Sequence, residues 1–352
     1  LDDVDHLGNK RLKLVGELLK SRLTVGMIRV DKFIKEKLAI ASSTNDNETT
    51  NEEELKKNKQ ITVKSVINTK PFQLMMKEFF NSYQLTQFID QQNPLSELTN
   101  KRRISAMGPG GISREDPNLS IRDVNYSHYG RICPIETPEG MNIGLIMSLA
   151  SYVRVDENGF LITPYFVIEN GKMVYEENKE GKLVPKVKFL DALHEGEYVI
   201  AYASTQMNDE GMITEKNVMA RFQAEQKLFD VTKINLIDIN PNQVVSVAAS
   251  VIPFLENDDA NRALMGANMQ RQATPLLKPH APSVGTGNEY KIAHDSNLVV
   301  IADDNGIIKE VDGNHILLVS EDNKTYNYKL LKYHKSNQNT CFNQTPLAKH
   351  TQ

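Results

Sequence analysis

Between Leu98 and Arg114 the chain carries Lys101, Arg102, Arg103 and Arg114 and no acidic residue. Within that run lies Ser105-Ala106-Met107-Gly108-Pro109-Gly110-Gly111. Glycines let backbone amides come close to a phosphate, and clustered guanidinium groups give it charge-assisted hydrogen bonds. On charge alone a solvated basic loop is the stronger reading. The flanking Gln84, Gln87, Asp90, Asn93 and Asn100 shift the balance toward a wet groove. Such a groove holds a nucleic-acid backbone without reading its bases.

A second stretch runs from Arg131 to Asn142, with Pro134 and Pro138 stiffening a turn that bears Glu136 and Glu139. Paired carboxylates can serve acid–base or metal chemistry. No His or third carboxylate follows at ligand spacing, so a rigid structural loop is favoured. The third stretch is a helix from about Asp258 to Gln272, on which Arg262, Met265, Met269 and Gln272 share one face. A Met stripe is ordinarily core packing. Arg262, near the helix start, could add its charge to the N-terminal dipole and hold a phosphate. Gly266 costs about 1 kcal/mol against Ala in a helix interior, so close packing or close substrate approach is expected there.

The elements that must position these residues are of mixed kind. The 352 residues allow two or three cores. A net charge of −4 gives no global sign of a nucleic-acid partner, so that evidence must be local. Cys133 and Cys341 stand far apart, outside any C-x-x-C pattern, which points to a reducing cytosol rather than a disulfide framework or zinc site. No run approaches the roughly 20 apolar residues of a membrane span. Dinucleotide, P-loop and H-E-x-x-H motifs are absent. The chain opens and closes inside patterned segments, so further sequence is expected on both sides.

Residues 9–40 show helical periodicity, and Gly16 and Gly26 argue for two helices rather than one. The polar run 42–59 is read as a mobile loop, and a helix should start at Pro71. Long punctuated loops fill 84–148, strands with turns at Asp156–Gly159 and Glu169–Gly171 follow, and 243–254 is apolar and β-branched. From 297 to 332 three strand-like runs alternate with Asp304-Asn305-Gly306 and Asp312-Gly313-Asn314 turns. The class is α+β mixed: a multidomain fragment with a helical region, a loop-rich region and β-rich lobes.

In order and separation, Gln84–Arg114, Tyr129–Ser148 and Asn257–Pro275 resemble the β subunit of bacterial RNA polymerase. Leu1–Val15 and Ser336–Cys341 match it too. The resemblance implies five regions: a helical protrusion-like part (1–83), the fork and rifamycin-pocket region (84–148), and a β-rich external lobe (149–240). A fork return strand with the active-site helix (241–290) and a truncated second β-rich lobe (291–352) complete it. Further implied is a pocket for rifamycins beside the RNA path, at Gln84, Leu85, Gln87, Phe88, Asp90, Asn100, Arg103, Ser105, Met107, Pro138, Glu139, Asn142 and Ile146. Gln87 and Asn142 would lie near nascent RNA. Gly108, Pro109, Gly110, Gly111 and Arg114 resemble the fork loop, and Asp5, Lys10 and Ile112 the pocket for an unpaired non-template base. Arg262 matches an arginine near the incoming triphosphate, and Met265 a residue beside the moving trigger element.

By the same resemblance the reaction is templated polymerisation of ribonucleoside triphosphates into RNA. The partners are β′, the α dimer, ω and sigma, both DNA strands and the nascent RNA, in the cytoplasm at the nucleoid and not at a membrane. No cofactor is bound by this segment, since the family's catalytic Mg²⁺ is held by β′, and no catalytic residue lies here. The fragment alone is not expected to be active. Three positions depart from the family: Asn100 for a usual His, Lys10 for a common Arg, and Asp116 for a basic residue. The first implies resistance to rifamycins. A non-catalytic nucleic-acid-binding module derived from such a subunit, and a purely structural protein, are the alternative readings.

Overall fold

The computed structural model describes residues 3–43, 66–115, 118–178, 181–296 and 298–346. The mixed α+β class holds. The chain divides into two compact units, Leu12–Gln87 and Leu1–Arg11 with Phe88–Gln352. The first eleven residues therefore belong with the larger unit and not with the helical part.

In the smaller unit α1 (Val15–Ser43) runs unbroken for 29 residues, so the two-helix expectation is corrected. Gly26 is kept by packing: a Cβ there would stand 3.4 Å from Met75 Cγ of α2 (Lys70–Ser82). Close approach of the two helices offsets the helix-propensity cost of about 1 kcal/mol. As expected, α2 starts with Pro71 in its first turn, and it buries Met75 and Phe79. Ser42 and Ser43 close α1, and the rest of the expected mobile loop lies outside the described residues.

The larger unit opens with α3 (Pro94–Lys101), β1 (Arg103–Ser105) and, after a long loop, β2 (Ile146–Ser148). The strands β1 and β2 pair antiparallel, Ser105 opposite Ile146. Next come β3 (Arg154–Val155), β4 (Leu161–Glu169), β5 (Lys172–Met173), β6 (Tyr175–Glu177), β7 (Leu183–Pro185) and β8 (Val187–Leu190). A single turn, α4 (Ala192–Glu195), precedes β9 (Ile200–Ala201), β10 (Asn217–Phe222), β11 (Glu225–Asp230) and β12 (Leu236–Asp238). Eight of these strands form one sheet in the order β11-β10-β9-β12-β4-β3, with β5 and β8 also on β4. Its core gathers Ile168, Ala201, Val218, Ala220, Ile234 and Ile237. The expected hairpins are present: Asp156–Gly159 joins β3 to β4, and Asn170 and Gly171, both at positive φ, join β4 to β5.

The return strand expected within 241–290 is not a strand. Short 3₁₀ turns at Pro241–Gln243 and Ala249–Val251 stand there, with a lone bridge between Ala150 and Ser246. The buried Gln243 side chain does the pairing instead. Its Nε2 donates to Thr163 Oγ1 and Pro164 O, both at 2.8 Å, and its Oε1 accepts from Ile239 N. Two helices follow, α5 (Ala260–Gln270) and α6 (Glu289–Asp295).

The meander is present with its strands displaced: β13 (Gly306–Val311), β14 (His315–Ser320) and β15 (Thr325–Lys329). Asp304-Asn305-Gly306 opens the first strand rather than separating two. The second turn is at Glu321–Lys324, where Asn323 adopts φ 60°. The apolar run Val299–Ile301 stays partly exposed, and the segment after it is tied on by Asp303 N donating to Tyr328 OH. A last hairpin pairs β16 (His334–Lys335) with β17 (Cys341–Phe342). No helix of the described residues is long and apolar enough to cross a membrane.

Candidate functional site

The basic loop is built outward from β1. Ala106 N donates to Leu145 O, Gly111 N to Gly108 O and Ile112 N to Ala106 O, closing residues 106–112 on themselves. Gly111 is required by space: a Cβ would lie 2.5 Å from Ala106 O. Gly108 and Gly110 adopt positive φ, where a side chain is strained. Pro109, Gly110, Gly111 and Arg114 are exposed. Arg122 donates to Met141 O at 2.9 Å, Ile143 O at 2.8 Å and Arg114 O at 3.2 Å, tying this loop to the Gly140–Gly144 turn. Asp116 lies outside the described residues.

The acidic turn does not pair its carboxylates. Glu136 is 3% exposed while Glu139 is exposed, so they occupy opposite environments. Among the described residues no group of three His, Cys, Asp or Glu side chains could hold a metal. Thr137 fixes the turn instead, donating to Ile146 O and accepting from Gly144 N.

Helix α5 starts on Asp259, whose side chain accepts from Asn261 N. That carboxylate already sits where a helix-bound anion would, so a phosphate would meet the Arg262 side chain rather than the helix amides. The Met stripe is not core: Met265 is 38% exposed and Met269 60%, while Ala263 and Ala267 make the buried face. Nor does chain packing account for Gly266, where an added Cβ would meet nothing within 4 Å. The exposed face thus carries Arg262, Met265 and Met269, with Arg262 Nη1 3.8 Å from Met265 Sδ, while Gln272, expected on the same helix, lies exposed in the turn beyond its end.

Two asparagines moor this helix. Asn93 caps α3 in a capping box with Ser96, and its Nδ2 also donates to Gln270 O and Ala273 O. Asn268 Nδ2 donates to Thr137 O at 3.0 Å and its Oδ1 accepts from Arg271 Nη2 at 2.6 Å. Arg271 Nε lies 3.8 Å from Glu136 Oε1. Arg103 is half-buried, and its pKa is lowered first by burial and then by the Arg271 cation. The structure therefore joins the basic strand, the acidic turn and the arginine helix in one scaffold.

The other positions are divided between the two units. Asp90, Asn100, Ser105, Met107, Pro138 and Asn142 are half-buried, Ile146 is buried, and Phe88 is 93% exposed. Gln84, Leu85 and Gln87 belong to the smaller unit and Phe88 onward to the larger. Asp5 and Lys10 form an ion pair at 2.7 Å, and their turn rests on residues 125–127 through Leu7 N to Ser127 Oγ and Asn125 Nδ2 to Asp3 Oδ2. Ile112 stands on the basic loop, half-buried.

Sequence reasoning missed a buried charge cluster. Arg131 is fully buried, donates to Leu161 O and Leu190 O, and pairs with Glu195 at 2.5 Å. Arg221 forms a two-pronged pair with Asp238, both bonds at 2.8 Å, beneath the Tyr129 ring at 3.7 Å. Tyr129 OH donates to the same carboxylate, and burial pushes the phenol well up. No local motif announces these pairings, whose members come from distant parts of the chain.

Residues 87–155 match the family described as RNA polymerase Rpb2, domain 3, and residues 172–240 match the RNA polymerase beta subunit external 1 domain. DNA-directed RNA polymerase subunit beta of Mycoplasmoides gallisepticum is 60% identical over 99% of this chain and 25% of its own length. That of Malacoplasma penetrans is 61% identical, over 99% and 24%. The Acetivibrio thermocellus subunit is 48% identical, over 99% and 26%. The chain spans about a quarter of the length of the relatives it matches. It belongs to the family of DNA-directed RNA polymerase β subunits.

Proposed function

We infer that this segment forms one wall of the active-site cleft of a DNA-dependent RNA polymerase, lining the RNA–DNA path, the substrate site and the rifamycin pocket. The observation that carries this is the mooring of α5 by Asn93 and Asn268. It sets the exposed Arg262 face on the same scaffold as the strand of Arg103 and the loop of Asn142. A cation beside soft, adaptable Met side chains suits a triphosphate next to a moving element. The closed glycine loop 106–112 suits a rigid divider at the edge of melted DNA. The segment contributes positioning and charge neutralisation, which carry much of the catalysis in phosphoryl-type transfer. Two metals stabilise the entering and leaving oxygens in such reactions; here Mg²⁺ would be held by β′. Its partners are β′, the α dimer, ω, sigma, both DNA strands, nascent RNA and ribonucleoside triphosphates, at the nucleoid.

The test is DNA-templated RNA synthesis by the intact complex that contains this segment, titrated with rifampicin. Synthesis should persist at concentrations that stop an enzyme with His in place of Asn100, and Asn100→His should restore inhibition by roughly tenfold or more. Inhibition of the unaltered enzyme at low drug would remove the role given to Asn100. Intact complexes without templated synthesis would remove the polymerase reading.

A further inference from the structure

Glu136 combines features that a structural carboxylate does not need. It is 3% exposed, its Oε2 is buried without a hydrogen-bond partner among the described residues, and its ion-pair partner there, Arg271, lies 3.8 Å from Oε1. Arg271 Nε is likewise buried without a partner, and so are Gln270 Oε1 beside it and Asn142 Oδ1 in the same turn as Glu136. Orphaned buried polar atoms are costly, so a concentration of them marks a place where stability yields to another demand. Among the described residues, the Arg271 guanidinium is gripped by Asn268 at 2.6 Å and approached by Glu136 at 3.8 Å.

We propose that Glu136 is a positioning residue: with Asn268 it holds the Arg271 guanidinium beside Arg103, so that two half-buried cations present one surface to the phosphodiester backbone of the polynucleotide. The charge balance supports this. Arg103 is destabilised by burial and by repulsion from Arg271, and the pulls of Glu136 and Asp90 are smaller. Like charges that approach in a partly dry site are stabilised by an anion, and a polyanion supplies it. Thr137 extends the device, since Asn268 also donates to its carbonyl and fixes the distance from turn to helix.

The proposal rests on the reading of this surface as a nucleic-acid path, and the experiment separates the two. In the intact polymerase, the lifetime of a short transcript in a stalled complex is measured for Arg271→Gln, Glu136→Gln and the double variant. Arg271→Gln should shorten it about tenfold. Glu136→Gln removes a negative charge, so simple electrostatics predicts a longer lifetime; positioning predicts a shorter one, by severalfold. In the Arg271→Gln background Glu136→Gln should add nothing. A longer or unchanged lifetime for Glu136→Gln, or full additivity, overturns the positioning role alone. An unchanged lifetime for Arg271→Gln overturns the path reading and the proposal with it. If Glu136→Gln does not assemble, Asn268→Ser releases the other grip, and the same shortening is expected and the same failure decisive.

Discussion

Two clusters of buried charge stand in the larger unit, and they are built to different standards. Around Arg221 the guanidinium makes two 2.8 Å bonds to Asp238, reaches Tyr165 OH and lies under an aromatic ring. Orphans there are Arg221 Nε, 3.9 Å from Glu195, and Tyr202 OH, while Glu195 Oε2 accepts no hydrogen bond but lies 2.5 Å from the Arg131 guanidinium. Around Glu136 the nearest cation stands at 3.8 Å, and orphans lie on Glu136, Gln270, Arg271 and Asn142. The first cluster is closed and joins strands β10 and β12 to the loop carrying Tyr129. The second is left open where the basic strand, acidic turn and arginine helix meet. In the first the buried carboxylate, Asp238, is matched by a two-pronged guanidinium, and in the second Glu136 is left without such a match, as suits a charge that serves a ligand.

The largest effect should come from breaking the closed cluster. Arg221→Ala leaves Asp238 buried and uncompensated, a loss of about 3–5 kcal/mol. The intact subunit should then fail to accumulate in assembled enzyme, or lose assembly on mild heating followed by gel filtration. Normal assembly would show the closed cluster to be no more structural than the open one. Next in size is Arg262→Ala, on the exposed face of α5. Losing a charge-assisted contact of about 1.5–3 kcal/mol should slow nucleotide addition and raise the apparent substrate constant by about ten- to a hundredfold. Thermal stability should barely move, because the side chain packs on little but Met265. Unchanged single-turnover rates at low triphosphate would place the phosphate elsewhere.

How much of this was legible differs by element for physical reasons. Pro71 and Asp259 act within one turn of the helices they start, so local sequence was enough for α2 and α5. Asn170-Gly171 fixed its own hairpin for the same reason. By contrast, α1 runs through Gly16 and Gly26 because a second helix presses on Gly26, a contact invisible along the chain. The Met stripe on α5 has helical spacing whether it faces in or out. Its direction is decided by the small Ala263 and Ala267, which allow close approach. The meander was read one turn too early: Asp312–Asn314, expected as its second turn, is its first, and Glu321–Lys324 takes the place given to Asp304–Gly306, because turn-like runs compete and only pairing with β14 selects between them. Of the site, residue types and order were readable. The grip of Glu136 and Asn268 on Arg271, and the whole Arg221 cluster, required the fold.

The smallest effect sharpens the comparison through pH. His128 lies beside the closed cluster, its carbonyl accepting from Arg131 N and Ile132 N. Burial, with a further push from Lys10, lowers its pKa to about 4 from an ordinary 6.5. The folded protein therefore holds the ring neutral while the unfolded chain takes up a proton as pH falls below 6.5. Stability is fully present above that value and drains away as pH falls toward 4, with the unfolded state binding more protons throughout the window. Between pH 7 and 5.5 the loss from this one group is about 1 kcal/mol. It should read out as a fall in the thermal midpoint of the intact enzyme. His128→Asn, which cannot protonate, should lessen that fall. The carboxylates with lowered pKa, such as Asp3 and Asp230, act in the same direction but leave this window intact, because their stability is lost only at lower pH, where the carboxylates of the unfolded chain take up protons. An identical pH slope in the variant would mean that the ring meets water in the folded state. The closed cluster would then be wetter, and nearer in kind to the open one, than its hydrogen bonds indicate.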